Sequence, residues 1–248
     1  MWGFAPVLRR LGNDFGFTPF VIGASATLYV LTLLASGANI GMSGFSFLSP
    51  DPRVLLLFGS SGAVPVFGYG RWWTIFTAGW LHASALHILF NMMWVRDLAP
   101  ATARLYGASR LVIIYTIAGA TGFACSTLAG VMLPGVPIIG GAGYTVGASG
   151  AVFGLLGALV RYGHRSGSSL IRGQAWSWAV TLFVFGLFMP GVDNWAHAGG
   201  FAGGYLASIW LDPLRRERTD HVVVALLCLG LTLAAFIASL APLLGRLL

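Results

Sequence analysis

The stretch TVGASGAVFG, residues 145–154, places one serine among small residues at the start of an apolar run that continues to Val160. Gly150, Gly154 and Ala158 recur at a spacing of four, so they lie on one face of a helix. Small residues at this spacing let two helix axes approach closely within a membrane. The stretch therefore predicts a tightly packed membrane helix, and it raises the question of whether Ser149 is a spacer or a nucleophile.

The composition of the whole chain indicates a membrane protein. Of its 248 residues, 57% are hydrophobic and only 8% are charged, and the mean hydropathy is +0.82. Soluble domains, in contrast, carry about 25% charged residues. The 14 basic residues are all arginine and fall in clusters between apolar runs, which argues against nucleic-acid binding. Cys125 and Cys228 lack CxxC or histidine spacing, so neither a disulfide framework nor a zinc site is indicated.

Seven apolar runs are long enough to cross a hydrocarbon core of about 30 Å as helices. We place them at residues 17–38, 82–105, 110–132, 147–163, 174–189, 194–211 and 221–244. The second run contains Arg96, Asp97 and Pro100, so this helix either continues to residue 105 or ends before Pro100. The pattern predicts an all-α polytopic membrane protein. Residues 1–16 then precede the first helix, residues 17–212 contain the first six helices, and residues 213–248 contain a connection and the seventh helix.

The arginines predict the orientation of the chain. Eleven of them lie at the N-terminus or toward alternate connections, whereas Arg53, Arg71 and Arg246 lie on the other side. The positive-inside rule then places the N-terminus in the cytoplasm and the C-terminus outside. The long first loop, residues 39–73, contains the short apolar piece RVLLLFG, which we expect to lie on or in the outer interface.

Few ionisable or amide side chains lie within the predicted spans, and each requires an explanation because lipid offers no polar partner. They include His82, His87, Asn91, Ser149 and His197. From the helical rise, Ser149 lies about 18 Å above the inner end of its helix, His197 about 20 Å, and Asn91 about 21 Å if its helix reaches residue 105. These three side chains therefore share one layer below the outer surface.

A second stripe of small residues follows His197, with Gly200 and Gly204 three and seven positions later. If this stripe faces Gly150 and Gly154, Ser149 and His197 come within reach of one another. Histidine is the usual base that activates a serine hydroxyl near neutral pH. The spans near Ser149 offer no acid, so a serine–histidine dyad is predicted.

Other residues are suited to support such a dyad. Phe153, four positions after Ser149, shares its helical face and can stack on the imidazole. The Ser149 amide, at the start of a helix, can stabilise an oxyanion together with His87 and Asn91, which share a face of the second helix. Asp193, in the outer turn PGVDNW, is expected to be solvated or to cap a helix.

Three sequence segments together carry a family resemblance: HASALHILFN at 82–91, GASG at 147–150 and AHAGGFAGG at 196–204. A GxSG motif alone occurs in many unrelated hydrolases. In this order and on separate predicted spans, however, the three segments resemble the rhomboid intramembrane serine proteases. The resemblance covers residues 17–212, and the chain looks like the 6+1 form, a rhomboid-like six-helix bundle plus one C-terminal transmembrane helix.

The resemblance implies that Ser149 is the nucleophile and His197 its general base, with His87, Asn91 and the Ser149 amide forming the oxyanion site. It implies cleavage of transmembrane-anchored protein substrates within or near the outer part of the bilayer, through an acyl-enzyme and without a metal or cofactor. The supporting residues are then Phe153, with Gly147 at the turn into the helix and the packing glycines Gly150, Gly200 and Gly204.

The chain departs from the family pattern at three positions. Thr74 stands where the first loop often has an arginine, so an anchoring contact is either lost or provided by Arg71. Ala103 stands where a glutamate often precedes the glycine that is here Gly107, and Phe153 replaces a frequent tyrosine. All three concern the scaffold or its support, so we expect them to affect stability and rate more than the presence of catalysis.

Two alternatives remain beside an active protease. A catalytically silent rhomboid-like protein would bind membrane helices without cutting them, although such proteins usually lack the serine or the histidine. A transporter or channel that uses His82, His87 and His197 would be expected to show more intramembrane acids and an internal repeat. We expect a multi-pass protein of a bacterial cytoplasmic membrane, because we find no transit peptide or large soluble extension.

Overall fold

The computed structural model describes residues 12–136 and 140–244, and the prediction of an all-α fold is confirmed for these residues. Seven long helices are present in the described ranges. They are α1 (Phe17–Ser36), α2 (Ala85–Tyr106), α3 (Ala108–Met132), α4 (Ser149–Ser166), α5 (Ser169–Phe188), α6 (Asn194–Trp210) and α7 (Thr219–Leu244). By length and composition, α1, α3 and residues Thr219–Ala241 of α7 are each suited to cross a membrane.

Helix α2 differs from its predicted bounds at its start. It begins at Ala85, three residues after the predicted start at about residue 82, because the Ser84 side chain accepts a hydrogen bond from the His87 amide and caps the helix there. His82 therefore precedes the helix. At the other end, α2 continues through Pro100 to Tyr106, which decides between the two alternatives for this helix.

Local caps account for further differences in helix bounds. Helix α5 begins at Ser169, five residues before its predicted start, and the Ser168 side chain caps it by accepting a hydrogen bond from the Ile171 amide. Helix α1 ends at Ser36 because Gly37 leaves the helical conformation with a φ of 55°. Helix α4 begins at Ser149, two residues later than predicted, because the positive φ of Gly147 is incompatible with a right-handed helix.

Helix α4 lies at the centre of the bundle. Every residue from Gly150 to Val160 is buried, and α3, α4 and α6 form the most extensive helix contacts. A methyl group at Gly200 would collide with the carbonyl oxygen of Gly150, and one at Gly204 with that of Gly154. The two stripes of small residues therefore face each other, and only glycine permits this separation of α4 and α6.

The loop between α1 and α2 is folded into short helical segments. They are Gly44–Ser46, Pro52–Phe58, Val64–Gly68, Thr74–Thr77 and Ala78–Trp80. Between them, Ser61 and Thr145 exchange two backbone hydrogen bonds of 3.0 and 2.8 Å, and the Ala63 amide donates to the Ala142 carbonyl at 3.0 Å. This short ladder holds the first loop against the segment that leads into α4.

Arg71 and Trp73 attach the first loop to neighbouring parts of the structure. The Arg71 guanidinium donates to the Leu56 carbonyl at 2.6 Å and to the Ser239 carbonyl of α7 at 3.2 Å. The Trp73 indole N–H donates to the Ser239 hydroxyl at 3.1 Å. The first loop is thus fastened to the seventh helix.

On the opposite side of the bundle, Glu217 occupies the start of α3. Its Oε1 atom accepts a hydrogen bond from the Arg110 amide at 3.0 Å, and its carboxylate packs on Gly107. A carboxylate is favourable there because the first amides of a helix carry partial positive charge. Glu217 thus supplies a carboxylate near the end of α2, where Ala103 has none.

Candidate active site

The turn before α4 presents Ser149 as the first residue of that helix. Gly147 has a φ of 126°, a conformation that L-residues with a side chain rarely adopt, and its amide donates to the Ala78 carbonyl at 3.0 Å. The Ser149 side chain remains partly exposed, although α4 is buried from the next residue onward. The backbone thus turns sharply so that a hydroxyl at a buried helix start stays accessible.

His197 contacts that hydroxyl directly. Its Nε2 atom lies 3.0 Å from the Ser149 Oγ atom, and the residue is only 6% exposed. Close packing of α4 on α6 through Gly150 and Gly200 produces this approach, because bulkier residues would separate the helices. The structure therefore brings together the two side chains that the glycine stripes led us to pair.

Phe153 stacks on the imidazole of His197. The ring centroids are 4.2 Å apart and the planes differ by 13°. Phe153 is itself buried, so the stack limits the tilt of the histidine ring on one face.

Asn194 is a site residue that the sequence analysis did not identify. Its Oδ1 atom lies 3.0 Å from the Nδ1 atom of His197, on the opposite side of the ring from Ser149. The available signal was the spacing of three residues in the segment DNWAH, which places both side chains on one face of a helix. Asn194 is uncharged, so the expectation of an acidic partner for His197 did not point to it.

Asp193 caps α6, which is one of the two roles that were predicted for it. Its Oδ1 atom accepts from the Ala196 amide at 3.0 Å, and its Oδ2 atom accepts from the Ser126 hydroxyl of α3 at 2.5 Å. The carboxylate therefore stabilises the start of α6, whereas the hydrogen-bond partner of the His197 ring is Asn194.

His87 packs against the turn that carries Ser149. Its Nδ1 atom accepts from the Ala83 amide at 3.2 Å, so the proton of a neutral ring resides on Nε2. A Cβ atom on Gly147 would lie 2.5 Å from that Nε2 atom. The Nε2–H group of His87 therefore faces the turn that leads to Ser149.

Asn91 and His82 both contact His87. Asn91 is 6% exposed, and its Nδ2 atom donates to the His87 carbonyl at 2.9 Å, which leaves a second N–H on the amide. His82 is fully buried and meets the His87 ring edge-on at 5.2 Å. The structure thus uses His82 as a packing partner of His87.

A cavity of about 610 Å³ is lined in part by His87, which packs on the turn before Ser149, and by Asn194, which contacts the His197 ring. Other lining residues come from the first loop, the segment before α4, the C-terminal end of α5 and the start of α6, including Leu55, Val146 and Phe183. Its volume falls within the range of about 300–1,000 Å³ that is usual for ligand sites. In residues 12–136 and 140–244, no group of three or more His, Cys, Asp or Glu side chains is placed to hold a metal ion.

Comparison with known proteins places the chain in a family. The sequence model of the Rhomboid domain matches residues 69–213, which is more than half of the chain. The protein therefore belongs to the rhomboid family, and together with its apolar helices this makes it a multi-pass integral membrane protein.

Several named proteins are similar to this chain. Rhomboid protease GluP of Bacillus subtilis is 30% identical over 163 residues, which cover 64% of this chain and 30% of GluP. The putative rhomboid protease YdcA of the same organism is 32% identical over 154 residues, which cover 60% of this chain and 71% of YdcA. RHOMBOID-like protein 1 of Arabidopsis thaliana is 32% identical over 165 residues, which cover 64% of this chain and 39% of that protein. The chain thus spans less than half the length of GluP and of this plant relative.

Proposed function

We propose that this protein is an intramembrane serine endopeptidase that cleaves transmembrane-anchored protein substrates with Ser149 and His197. The observation that carries the proposal is the 3.0 Å contact between Nε2 of His197 and Oγ of Ser149 at a buried helix start. The adjoining cavity provides room for a peptide segment. Family membership and the two Bacillus relatives named as proteases support the same reaction class.

The positions of these atoms support the following reaction sequence. His197 Nε2 takes the hydroxyl proton as Ser149 Oγ bonds to the carbonyl carbon of the scissile peptide. The tetrahedral intermediate collapses, the C–N bond breaks, and His197 gives the proton to the leaving amine. Water, deprotonated by His197, then attacks the resulting ester, which releases the new carboxyl terminus and restores Ser149.

The negative charge on the carbonyl oxygen requires fixed donors in this scheme. The Ser149 amide is one, because the first amides of a helix have no acceptor within it. His87 is the second, since its Nε2–H faces the same turn, and Asn91 supplies a third through its remaining N–H. The helix dipole of α4 adds to the stabilisation.

The same proposal includes the orientation of the protein in the membrane and its domain organisation. The arginine distribution favours a cytoplasmic N-terminus and an external C-terminus, and we accordingly propose that the dyad lies in the outer part of the bilayer. We assign residues 17–212 to the catalytic core and residues 213–248 to the connection and seventh helix of a 6+1 rhomboid. Its partners are then transmembrane protein substrates within a bacterial cytoplasmic membrane.

A labelling and cleavage assay tests the proposal. The purified protein in detergent should react with a fluorophosphonate probe and cut a model single-span substrate, whereas Ser149→Ala and His197→Ala should do neither. Ser166→Ala is a matched control, because this serine lies at the far end of the same helix and its hydroxyl bonds to the Tyr162 carbonyl. Substrate binding without labelling or cleavage by the parental protein would instead favour a silent helix-binding member of the family.

A further inference from the structure

We infer that Asn194 is a positioning residue that fixes the orientation and tautomer of His197, so that the site functions as a Ser149–His197–Asn194 array. The inference rests on the proposed function. Asn194 does not contact the reacting atoms in this scheme, because it lies on the far side of the imidazole from Ser149. It acts through the ring.

The hydrogen-bond chemistry of an amide oxygen supports this role. Oδ1 of Asn194 can only accept, so at 3.0 Å it selects the tautomer of His197 that carries its proton on Nδ1. The lone pair then resides on Nε2, which faces the Ser149 hydroxyl. The other tautomer would direct an N–H at the hydroxyl, and the ring would be unable to take its proton. The contact therefore selects the form of histidine that can act as a base.

Helices α3, α5 and α6 together hold the Asn194 side chain in place. Asp193 caps α6 and is itself bonded to Ser126 of α3, so the first turn of α6 is fixed. The spacing of three residues then aligns the amide with His197 on the helix.

Helix α5 covers the remaining side of the amide. A Cβ atom on Gly186 would lie 2.6 Å from Asn194 Oδ1 and 2.9 Å from the Val192 side chain. Gly186 is buried, and glycine at this position leaves the space that the amide oxygen occupies. A side chain at position 186 should therefore disturb His197 without touching it.

Asn194 also lines the cavity beside the dyad, which gives it a second conceivable role in contacting substrate. The two roles differ in kinetics. A residue that orients the base changes kcat and the rate of fluorophosphonate labelling, because both require proton removal from Ser149. A residue that only binds substrate changes KM and leaves labelling by a small probe unaltered.

Four variants of the full chain test the inference. Asn194→Leu keeps the approximate shape without an acceptor, and Asn194→Asp keeps an acceptor at the same position. Gly186→Ala fills the space of the amide oxygen. Gly173→Ala is the matched control on α5, because a methyl group there meets nothing within 4 Å. Thermal unfolding in detergent establishes that each variant is folded.

We expect Asn194→Leu and Gly186→Ala to lower kcat and the labelling rate by about tenfold or more, since general-base catalysis contributes about 10²–10⁴-fold. Asn194→Asp should retain most of the parental kcat, and Gly173→Ala should match the parent. A parental kcat and labelling rate in Asn194→Leu, a change confined to KM, or equal losses in the Leu and Asp variants would overturn the inference. Failure of the parental protein to label or cleave would instead refute the proposed protease function.

Discussion

The His87 ring packs directly on the backbone of Gly147, in the turn that leads to Ser149. The two residues come from different parts of the chain, one from α2 and one from the segment before α4. Their contact links the proposed oxyanion donor to the proposed nucleophile without any intervening side chain. A change in the backbone conformation of the turn would therefore also displace the His87 N–H group.

Gly147→Ala should consequently abolish activity. The new methyl group would lie 2.5 Å from His87 Nε2, and alanine also disfavours a φ of 126°. Gly167→Ala separates these effects, because Gly167 has a φ of 77° at the end of α4 but has open space around it. We expect each variant to lose about 1–2 kcal/mol of stability from backbone strain. Only Gly147→Ala should lose fluorophosphonate labelling, and equal labelling of both variants would contradict this account.

Phe153→Leu should slow catalysis while leaving the protein folded. Leucine removes the flat ring that stacks 4.2 Å from the imidazole of His197. Aromatic pairs contribute about 0.5–1.5 kcal/mol beyond the area they bury, which corresponds to about a two- to tenfold fall in kcat if the ring orientation depends on the stack. Phe153→Tyr keeps the ring and should retain activity. Steady-state kinetics on a single-span substrate measure the difference, and equal activity of both variants would argue against the stack.

Ser239→Ala should weaken the attachment of the first loop to α7. The substitution removes the acceptor of the Trp73 indole and leaves the Arg71 contact to the backbone carbonyl intact. A lost hydrogen bond of this kind costs about 0.5–1.5 kcal/mol. Because Pro52 and Leu55 of the same loop line the cavity, KM should also rise.

Thr232→Val is the control for that experiment, since its hydroxyl donates within α7 to the Cys228 carbonyl and forms no hydrogen bond with the first loop in the described structure. Thermal unfolding and KM should both remain near the parental values in this variant. If both variants shift equally, the effect reflects α7 itself and not its contact with the loop.

Stability should decrease in acid through Asp212, which follows the C-terminal end of α6. The Leu214 amide, which donates to this carboxylate, and then Arg165 at 3.1 Å hold the pKa of Asp212 below its usual value. A carboxyl group whose pKa is lowered by folding stabilises the protein above its unfolded pKa of about 3.9, and this contribution is lost as the pH falls through the folded pKa. Melting temperatures between pH 6 and pH 3 should fall less in Asp212→Asn, and parallel curves would contradict the assignment.

Hydrophobic patterns predicted the helices well, because their length and small-residue stripes are local properties of the sequence. The approach of Ser149 and His197 followed from the same stripes. The structure of the first loop could not be predicted. Ser61 and Thr145 pair through backbone N–H and C=O groups, and every residue type other than proline carries both groups. Glu217 was missed for a related reason, because it bonds to a residue 107 positions away. Asn194 was missed because it is uncharged.

Two hydrogen-bonded attachments lie near the two ends of α7, in addition to the packing of Cys228, Leu229 and Phe236 in its middle against the hydrophobic core. Glu217 bonds to the start of α3 just before α7 begins, and Ser239 holds the first loop near its other end. From Thr219 to Ser239 an α-helix rises about 30 Å, which is close to the thickness of a bilayer's hydrocarbon core. The length of α7 therefore fixes the separation between the two attachments. A thinner or thicker bilayer must be accommodated by tilting of the whole bundle, because α7 cannot slide without breaking a contact at one surface.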